Sequence, residues 1–536
     1  MPFLRPFAGL LSALASVLIA GMALAVDLPA LVANLTTGSF GDRETAVGAL
    51  AASGDARAAP ILDALAAGQL YVRKSDNTVV IGKPDGNQLA LTEAISGKSA
   101  GSGSEAELDR VRVNNRLRGV IEAAVGSLTL MSPDARVRRE AADALFKRRD
   151  ASSLAALDQA LAVEKDPRIK RIMSEARAAS VLASDAPAAQ KVEAIALVRE
   201  RGDRDALGVL QATASSSDGE VKVAATAGAE AVRQTLAAWE AAQNVWYGIS
   251  LGSVLLLAAI GLAITFGTMG VINMAHGEMV MLGAYTTFVV QEVIRTSAPH
   301  LFDASLVIAL PLAFLVSGGI GILIERGIIR FLYGRPLDTL LATWGLSLVL
   351  QQAVRSIFGP SNREVGAPSW MSGAFPVGQL NITYGRLWIV VFALVVFFAL
   401  ILLLRRTPLG LYMRAVTQNR PMAAAMGIRT PRVDALTFGL GSGIAGLAGV
   451  ALSQIDNVSP NLGQGYIIDS FMVVVFGGVG NLFGTLVGAT ALGIVNKFLE
   501  PYAGAVLGKI LVLVFIILFI QRRPRGLFAL KGRAVE

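Results

Sequence analysis

From Trp246 to Gln521 the chain is built of apolar runs too long and too closely spaced for a water-soluble fold. A segment of about 20 apolar residues crosses a hydrocarbon core about 30 Å thick, and inside that core every backbone polar group must be satisfied within the protein. The segments fall near 246–266, 271–291, 305–324, 338–357, 384–404, 433–453, 466–480, 482–498 and 505–521. The spacing therefore predicts an all-α polytopic membrane region of about nine spans within residues 246–530.

Loop charge predicts its orientation. The net charge of +8 belongs to this apolar half, because acids and bases nearly cancel in residues 27–245. The arginines concentrate in alternate loops: Arg326, Arg330 and Arg335, then Arg405, Arg406, Arg414, Arg420, Arg429 and Arg432, then the tail from Arg522 with Lys531 and Arg533. The opposite loops hold Asp303, Asp456 and Asp469. Basic loops stay cytoplasmic, so the N-terminus is expected outside and the C-terminus inside, in a bacterial inner (plasma) membrane. The first 25 residues agree. Arg5, the apolar stretch Phe7–Gly21 and Ala23-Leu24-Ala25 have the layout of a secretory signal peptide.

Residues 26–240 read as a separate, alanine-rich, extracytoplasmic helical domain. Helix starts at Asp134-Ala135-Arg136-Val137-Arg138, Asp166-Pro167-Arg168-Ile169-Lys170 and Asp218-Gly219-Glu220-Val221-Lys222 resemble one another, as in HEAT-like stacked repeats. A small hairpin is expected where Tyr71-Val72 and Thr78–Ile81 flank Ser75-Asp76-Asn77. Gly101-Ser102-Gly103-Ser104 reads as a flexible linker. Without cysteine there are no disulfides or thiolate ligands, and no spacing of His, Asp or Glu predicts a metal or other cofactor.

Polar residues interrupt the apolar half. Asn273-Met274-Ala275-His276-Gly277-Glu278 opens the second span, and such groups in lipid face a protein interior or a watery path. His276 and Glu278 are expected either to pair with each other across a broken helix or to line the path. The G-x-G-x-x-G within Gly439–Gly446 follows no strand, so close helix packing explains it better than a nucleotide. Gly97-Lys98-Ser99 has Thr92 where a P-loop needs glycine. The loop after the fifth span, Arg405 to Arg432, carries six arginines and no acid. In it Asn419 or Arg420 is expected to precede a short helix with Pro421 in its first turn and Gly427 as C-terminal cap. Such a helix would rest on anionic lipid or dock on another protein.

This loop resembles the ATPase-coupling segment of branched-chain amino-acid-type permeases of ABC importers. Ile272–Glu278 with Gly283-Ala284-Tyr285, and Phe471–Asn481 with Gly484, support the resemblance over about residues 246–530. Within that family the chain looks most like the urea permeases, through Asp338–Leu346, Tyr466–Phe471 and its exported N-terminal domain. The resemblance implies a non-enzymatic pore subunit. Its partners would be a sister permease, two cytoplasmic ATPases and an extracytoplasmic binding protein, in a lipid bilayer and without nucleic acid. Arg414, Asn419, Arg420, Ala423, Ala424 and Gly427 would take up ATPase motion. For a neutral solute such as urea the route needs hydrogen-bonding groups without fixed charge. Asn273, Thr343, Gln351, Ser470 and Asn481 suit that, with His276 and Glu278 as further candidates. An amino-acid zwitterion would instead want balanced charges or opposing helix ends. A branched-chain amino acid or short amide is the alternative solute, and a self-sufficient secondary transporter or channel the alternative mechanism.

Overall fold

The computed structural model describes residues 28–528 apart from 54, 56, 86 and 87. The signal-peptide reading and Lys531 and Arg533 lie outside the described residues. The chain divides into two compact units, Met1–Leu236 and Ala237–Glu536.

The first unit opens with α1 (Leu28–Asn34), α2 (Phe40–Ala52) and α3 (Ala58–Ala66). A five-stranded antiparallel sheet follows: β1 (Leu70–Arg73), β2 (Val79–Asp85), β3 (Gln88–Glu93), β4 (Ser99–Gly103) and β5 (Leu108–Arg110), in the order β4-β3-β2-β1-β5. The expected hairpin is its β1–β2 pair, with Leu70 opposite Ile81 and Val72 opposite Val79. Asn77 turns the chain with a φ of 55°, a conformation asparagine tolerates better than most residues. The expected helical domain thus carries a sheet larger than the one hairpin, and the linker expected at Gly101–Ser104 is corrected here. Ser99–Gly103 forms the edge strand, Leu89 facing Gly103 and Ala90 facing Ser102. A ladder is made by backbone groups, so glycine and serine can supply it where a partner strand is present. Gly103 also fits because a Cβ there would lie 3.0 Å from the Leu91 side chain.

Helices then resume: α4 (Asn115–Leu130), α5 (Ala135–Arg148), α6 (Leu154–Val163), α7 (Pro167–Leu182), α8 (Ala188–Arg201), α9 (Arg204–Ser216) and α10 (Gly219–Met269), within which the unit boundary falls. Asp134, Asp166 and Asp203 cap helix starts by accepting from the backbone N–H of Arg136 (2.8 Å), Arg168 (2.8 Å) and Ala206 (2.7 Å). One continuous apolar core runs from Phe146 and Met173 to Leu210 and Val232, because each of these helices buries its apolar stripe on its neighbours.

Charge pairs knit this core. Arg201, whose side chain is 14% exposed, pairs with Asp203 at 2.6 Å, Asp143 at 3.1 Å and Glu175 at 3.4 Å. Its guanidinium also lies 4.2 Å from the Phe146 ring centroid. Residues 27–240 produced alone are expected to fold, and Arg201→Met to cost them about 1–3 kcal/mol by removing charge-assisted hydrogen bonds to half-exposed Asp143 and Asp203 and to buried Glu175, which keeps Arg171. A denaturant midpoint unmoved by the substitution would show that the network contributes nothing. The Arg138 guanidinium, 2.6 Å from Glu164, holds that carboxyl below the usual carboxylate range. A lowered carboxylate stabilises above its unfolded pKa, near 4.3, and that contribution fades as pH falls toward the folded value. The melting temperature is therefore expected to drop below about pH 4, and less steeply in Glu164→Gln.

The second unit continues with α11 (His276–Ser297), α12 (Ser305–Gly327), α13 (Pro336–Phe358), the hairpin β6 (Ala374–Val377)–β7 (Leu380–Thr383), α14 (Tyr384–Arg406), α15 (Pro408–Gln418), α16 (Arg420–Ala425), α17 (Thr430–Leu452), α18 (Leu462–Gly477) and α19 (Leu482–Arg522). Among the described residues, five helical segments are long and apolar enough to cross a membrane: Gly219–Met269, Pro299–Phe331, Tyr384–Arg406, Thr430–Leu452 and Leu482–Arg522. The last contains the eighth and ninth apolar segments. They are separated by Gly504, whose φ of 72° interrupts the helix just after Pro501. α11, α13 and α18 fall outside that set, and they carry Glu278, Gln351 and Asp469 respectively.

The glycine-rich run 439–446 lies wholly inside α17. A Cβ on Gly441 would meet the Gly261 carbonyl of α10 at 2.7 Å, and one on Gly446 the Ala313 carbonyl of α12 at 2.6 Å. Helix backbones touch there, as in membrane helix pairs. Asp469, read from sequence as a loop acid, is instead buried within α18, its Oδ2 2.9 Å from Lys509 Nζ of α19. The helix begins at Leu462, earlier than the hydropathy pattern indicates, and Lys509 supplies the counter-charge that the buried carboxylate requires.

Candidate functional site

Two sites emerge in the second unit. The first forms where the chain unwinds between α10 and α11. Gly270, with a φ of 70°, ends the long helix, and the backbone groups freed there need partners. Asn273 Oδ1 accepts from Ala275 N at 3.0 Å, and Thr343 Oγ1 of α13 accepts from Met274 N at 3.1 Å. Thr343 thus braces the broken segment from the neighbouring helix.

One turn further on, Glu278 Oε1 accepts from Ser347 Oγ at 2.9 Å and from Gln351 Nε2 at 2.7 Å. Glu278 is 1% exposed, and its Oε2 is a buried oxygen without a hydrogen-bond partner. Leaving such an acceptor unmet is costly in a core. An N–H group placed against Oε2 would complete the carboxylate's shell.

His276 does not pair with Glu278. Its Nε2 lies 2.9 Å from the Ala258 carbonyl of α10, and since a carbonyl only accepts, Nε2 is the protonated nitrogen. The two residues are two apart on a helix, so their side chains point to different faces. Histidine ties α11 to α10, and glutamate ties it to α13.

The structure brings Asn273, Glu278, Thr343 and Gln351 into one buried region and leaves Ser470 and Asn481 out of its hydrogen bonds. Ser470 Oγ donates to Tyr466 O of its own helix at 2.7 Å. Asn481 caps α19 by accepting from Gly484 N at 3.1 Å and donates to Phe528 O at 3.3 Å. Ser347 was not anticipated from sequence. Its signal was present: Thr339, Thr343, Ser347 and Gln351 recur every four residues, a polar stripe on one face of an otherwise apolar helix, and all four are buried.

The second site is the loop after α14. The expected segment Arg414–Gly427 is two helices meeting at Asn419, whose extended backbone (φ −155°, ψ 100°) makes the corner. Asn419 Oδ1 accepts from Met422 N at 2.9 Å, capping α16. At its other end Gly427 adopts a φ of 86°, with Gly427 N donating to Ala424 O at 3.0 Å and Ile428 N to Ala423 O at 3.1 Å. That is a Schellman closure. Arg414 donates to Leu404 O at 2.7 Å, satisfying the end of α14. Arg420 pairs with the buried Asp434.

Within the loop Ala423 faces inward and Ala424 outward. Leu411, Tyr412, Met422 and Met426 stand exposed, Met426 at 77%. Leu411 and Tyr412 belong to α15, Met422 to α16 and Met426 to its C-terminal cap.

The stretch of chain that holds both sites matches known proteins. Residues 244–520 match the family model described as branched-chain amino acid transport system / permease component. The chain is 30% identical over 292 residues to the high-affinity branched-chain amino acid transport system permease protein BraD of Pseudomonas aeruginosa, covering 53% of this chain and 94% of that protein. To LivH of Salmonella typhimurium, a protein of the same description, it is 31% identical over 297 residues, with 53% and 94% covered. A probable branched-chain amino acid transport permease of Methanocaldococcus jannaschii is 25% identical over 299 residues, with 52% and 90% covered. No solved structure matches the chain.

Proposed function

The chain belongs to the permease-component family of branched-chain amino acid transport systems, and from that premise we propose that it is the pore subunit of an ATP-driven importer of a branched-chain amino acid. Proteins of this family are membrane permeases of ABC importers and not enzymes. The subunit would pair with a second permease, receive solute from an extracytoplasmic binding protein and be driven by two cytoplasmic ATPases docked on α15 and α16. Nine crossings, with α19 counted twice at Gly504, set its N-terminus outside and its tail inside. The basic loops around α12, α14 and α17 support that orientation. The first unit would then be an extracytoplasmic domain of stacked helical repeats carrying a small sheet.

Glu278 is the observation that carries the choice of solute. A neutral solute needs no fixed charge on its route, whereas an amino-acid ammonium needs an acceptor, and Glu278 Oε2 is a buried carboxylate oxygen without a donor. Urea is the second reading. It is favoured by the motifs at Asp338–Leu346 and Tyr466–Phe471, but in the latter Asp469 is engaged by Lys509 and so serves helix pairing.

Cells lacking this protein are expected to lose high-affinity uptake of radiolabelled leucine and to keep that of urea. Loss of urea uptake with leucine uptake intact would transfer the assignment to the second reading.

A further inference from the structure

Arg420 sits in the docking loop, yet its guanidinium turns away from the exposed face. Nη1 donates to Asp434 Oδ1 at 3.2 Å, and Nη2 bonds the other oxygen, in a two-pronged contact with a carboxylate 1% exposed. The same guanidinium lies 4.7 Å from the Tyr333 ring centroid. Tyr333 Oη in turn donates to Glu325 Oε1 at 2.8 Å, and Glu325 is 2% exposed. Asp434 stands near the start of α17 and Glu325 near the end of α12. One arginine on the six-residue α16 therefore holds the start of α17 directly and reaches the end of α12 through Tyr333.

Those helices lead onward to the first site. α12 and α17 pack backbone to backbone, a Cβ on Gly318 falling 3.0 Å from Gly439 O. Ser317 Oγ of α12 donates to Met279 O of α11 at 3.0 Å, and Met279 adjoins Glu278. A chain of close packing and hydrogen bonds runs from the docking loop to the buried carboxylate.

We propose that Arg420 is an inward latch: a positioning residue that transmits movement of α16 to the α12–α17 pair through Asp434 and Tyr333, rather than part of the surface that holds the ATPase. The inference rests on α16 being the coupling helix. Arginine suits the role because its planar fork can bond a carboxylate with two nitrogens while its face stacks on an aromatic ring, which lysine cannot do. A buried Asp434 without that partner would be an uncompensated charge, so the latch holds α16 to α17 through any displacement the ATPase imposes.

The test uses the assembled transporter with its binding protein in lipid nanodiscs. The readout is the ratio of solute-stimulated to basal ATP hydrolysis, alongside ATPase co-purification. Asp434→Asn is expected to retain the ATPases and basal hydrolysis while the ratio falls about tenfold, a typical coupling magnitude. Tyr333→Phe keeps the ring under Arg420 and loses one hydrogen bond to Glu325, so it should fall less, by about threefold. It decides the matter if Asp434→Asn fails to reach the membrane. A normal ratio in these variants would overturn the latch, and so would loss of ATPase co-purification, which would place Arg420 in the docking surface itself. Failure of the coupling reading looks different: Ala424→Glu would then take up solute normally.

Discussion

Ala424→Glu is expected to abolish solute uptake while the protein reaches the membrane at normal levels. Ala424 points outward from α16, on the helix that also exposes Met422 and Met426. In the isolated subunit a glutamate there would sit in water at almost no cost. Against an ATPase groove it would be buried without a partner, which costs several kcal/mol, more than most of the affinity of a small helix in a groove. The ATPases should therefore be missing from a pull-down of the variant. Gly427→Val probes the same helix by its shape. The φ of 86° at Gly427 is strained for a β-branched residue by about 1–2 kcal/mol, so the Schellman closure would loosen and α16 would be misdirected without any new charge. Its loss of uptake should be smaller than that of Ala424→Glu. A loop that merely rests on anionic lipid would tolerate both changes, because the arginines remain. Normal uptake by Ala424→Glu would sink the coupling assignment.

The second large effect is expected at Glu278. In Glu278→Gln the side-chain carbonyl can still accept from Ser347 and Gln351, so the α11–α13 contact survives. The second oxygen, however, becomes an NH2 group, and an acceptor that faces an ammonium becomes a donor. A hydrogen bond to a charged group is worth about 1.5–3 kcal/mol, which predicts a loss of uptake of roughly 10- to 100-fold. Assembly with the ATPases and basal ATP hydrolysis should be unchanged. Glu278→Ala removes the brace as well and should lower the amount of folded protein. Full uptake by Glu278→Gln would remove Glu278 from the route and return the solute question to urea.

Both tests depend on residues whose meaning was only partly visible in the chain. The apolar runs determined a membrane region by themselves, because about 20 uncharged residues have no better place than a bilayer. Asn419, Pro421 and Gly427 likewise marked a capped short helix by local backbone chemistry alone, which needs no knowledge of the rest of the fold. The Gly-rich run declared close packing, since glycine in an apolar helix admits a neighbouring backbone.

Tertiary structure decided what was near what. His276 and Glu278 are neighbours in sequence, and only the positions of α10 and α13 show that one braces the first helix and the other bonds the second. Ser347 acquires a role from Glu278, which lies 69 positions away. Asp469 looked like a loop acid until Lys509 was brought beside it from another helix. Gly101–Ser104 looked like a linker, and its first three residues lie in β4 because strand identity there comes from β3 and not from their own side chains. Arg420 was one arginine among six in a basic loop, and Asp434 and Tyr333 single it out. Spans, caps and turns follow from interactions within about four residues, so the sequence holds them. Ion pairs and buried hydrogen bonds join groups tens of residues apart, and which of many polar groups will meet is set only when the helices pack.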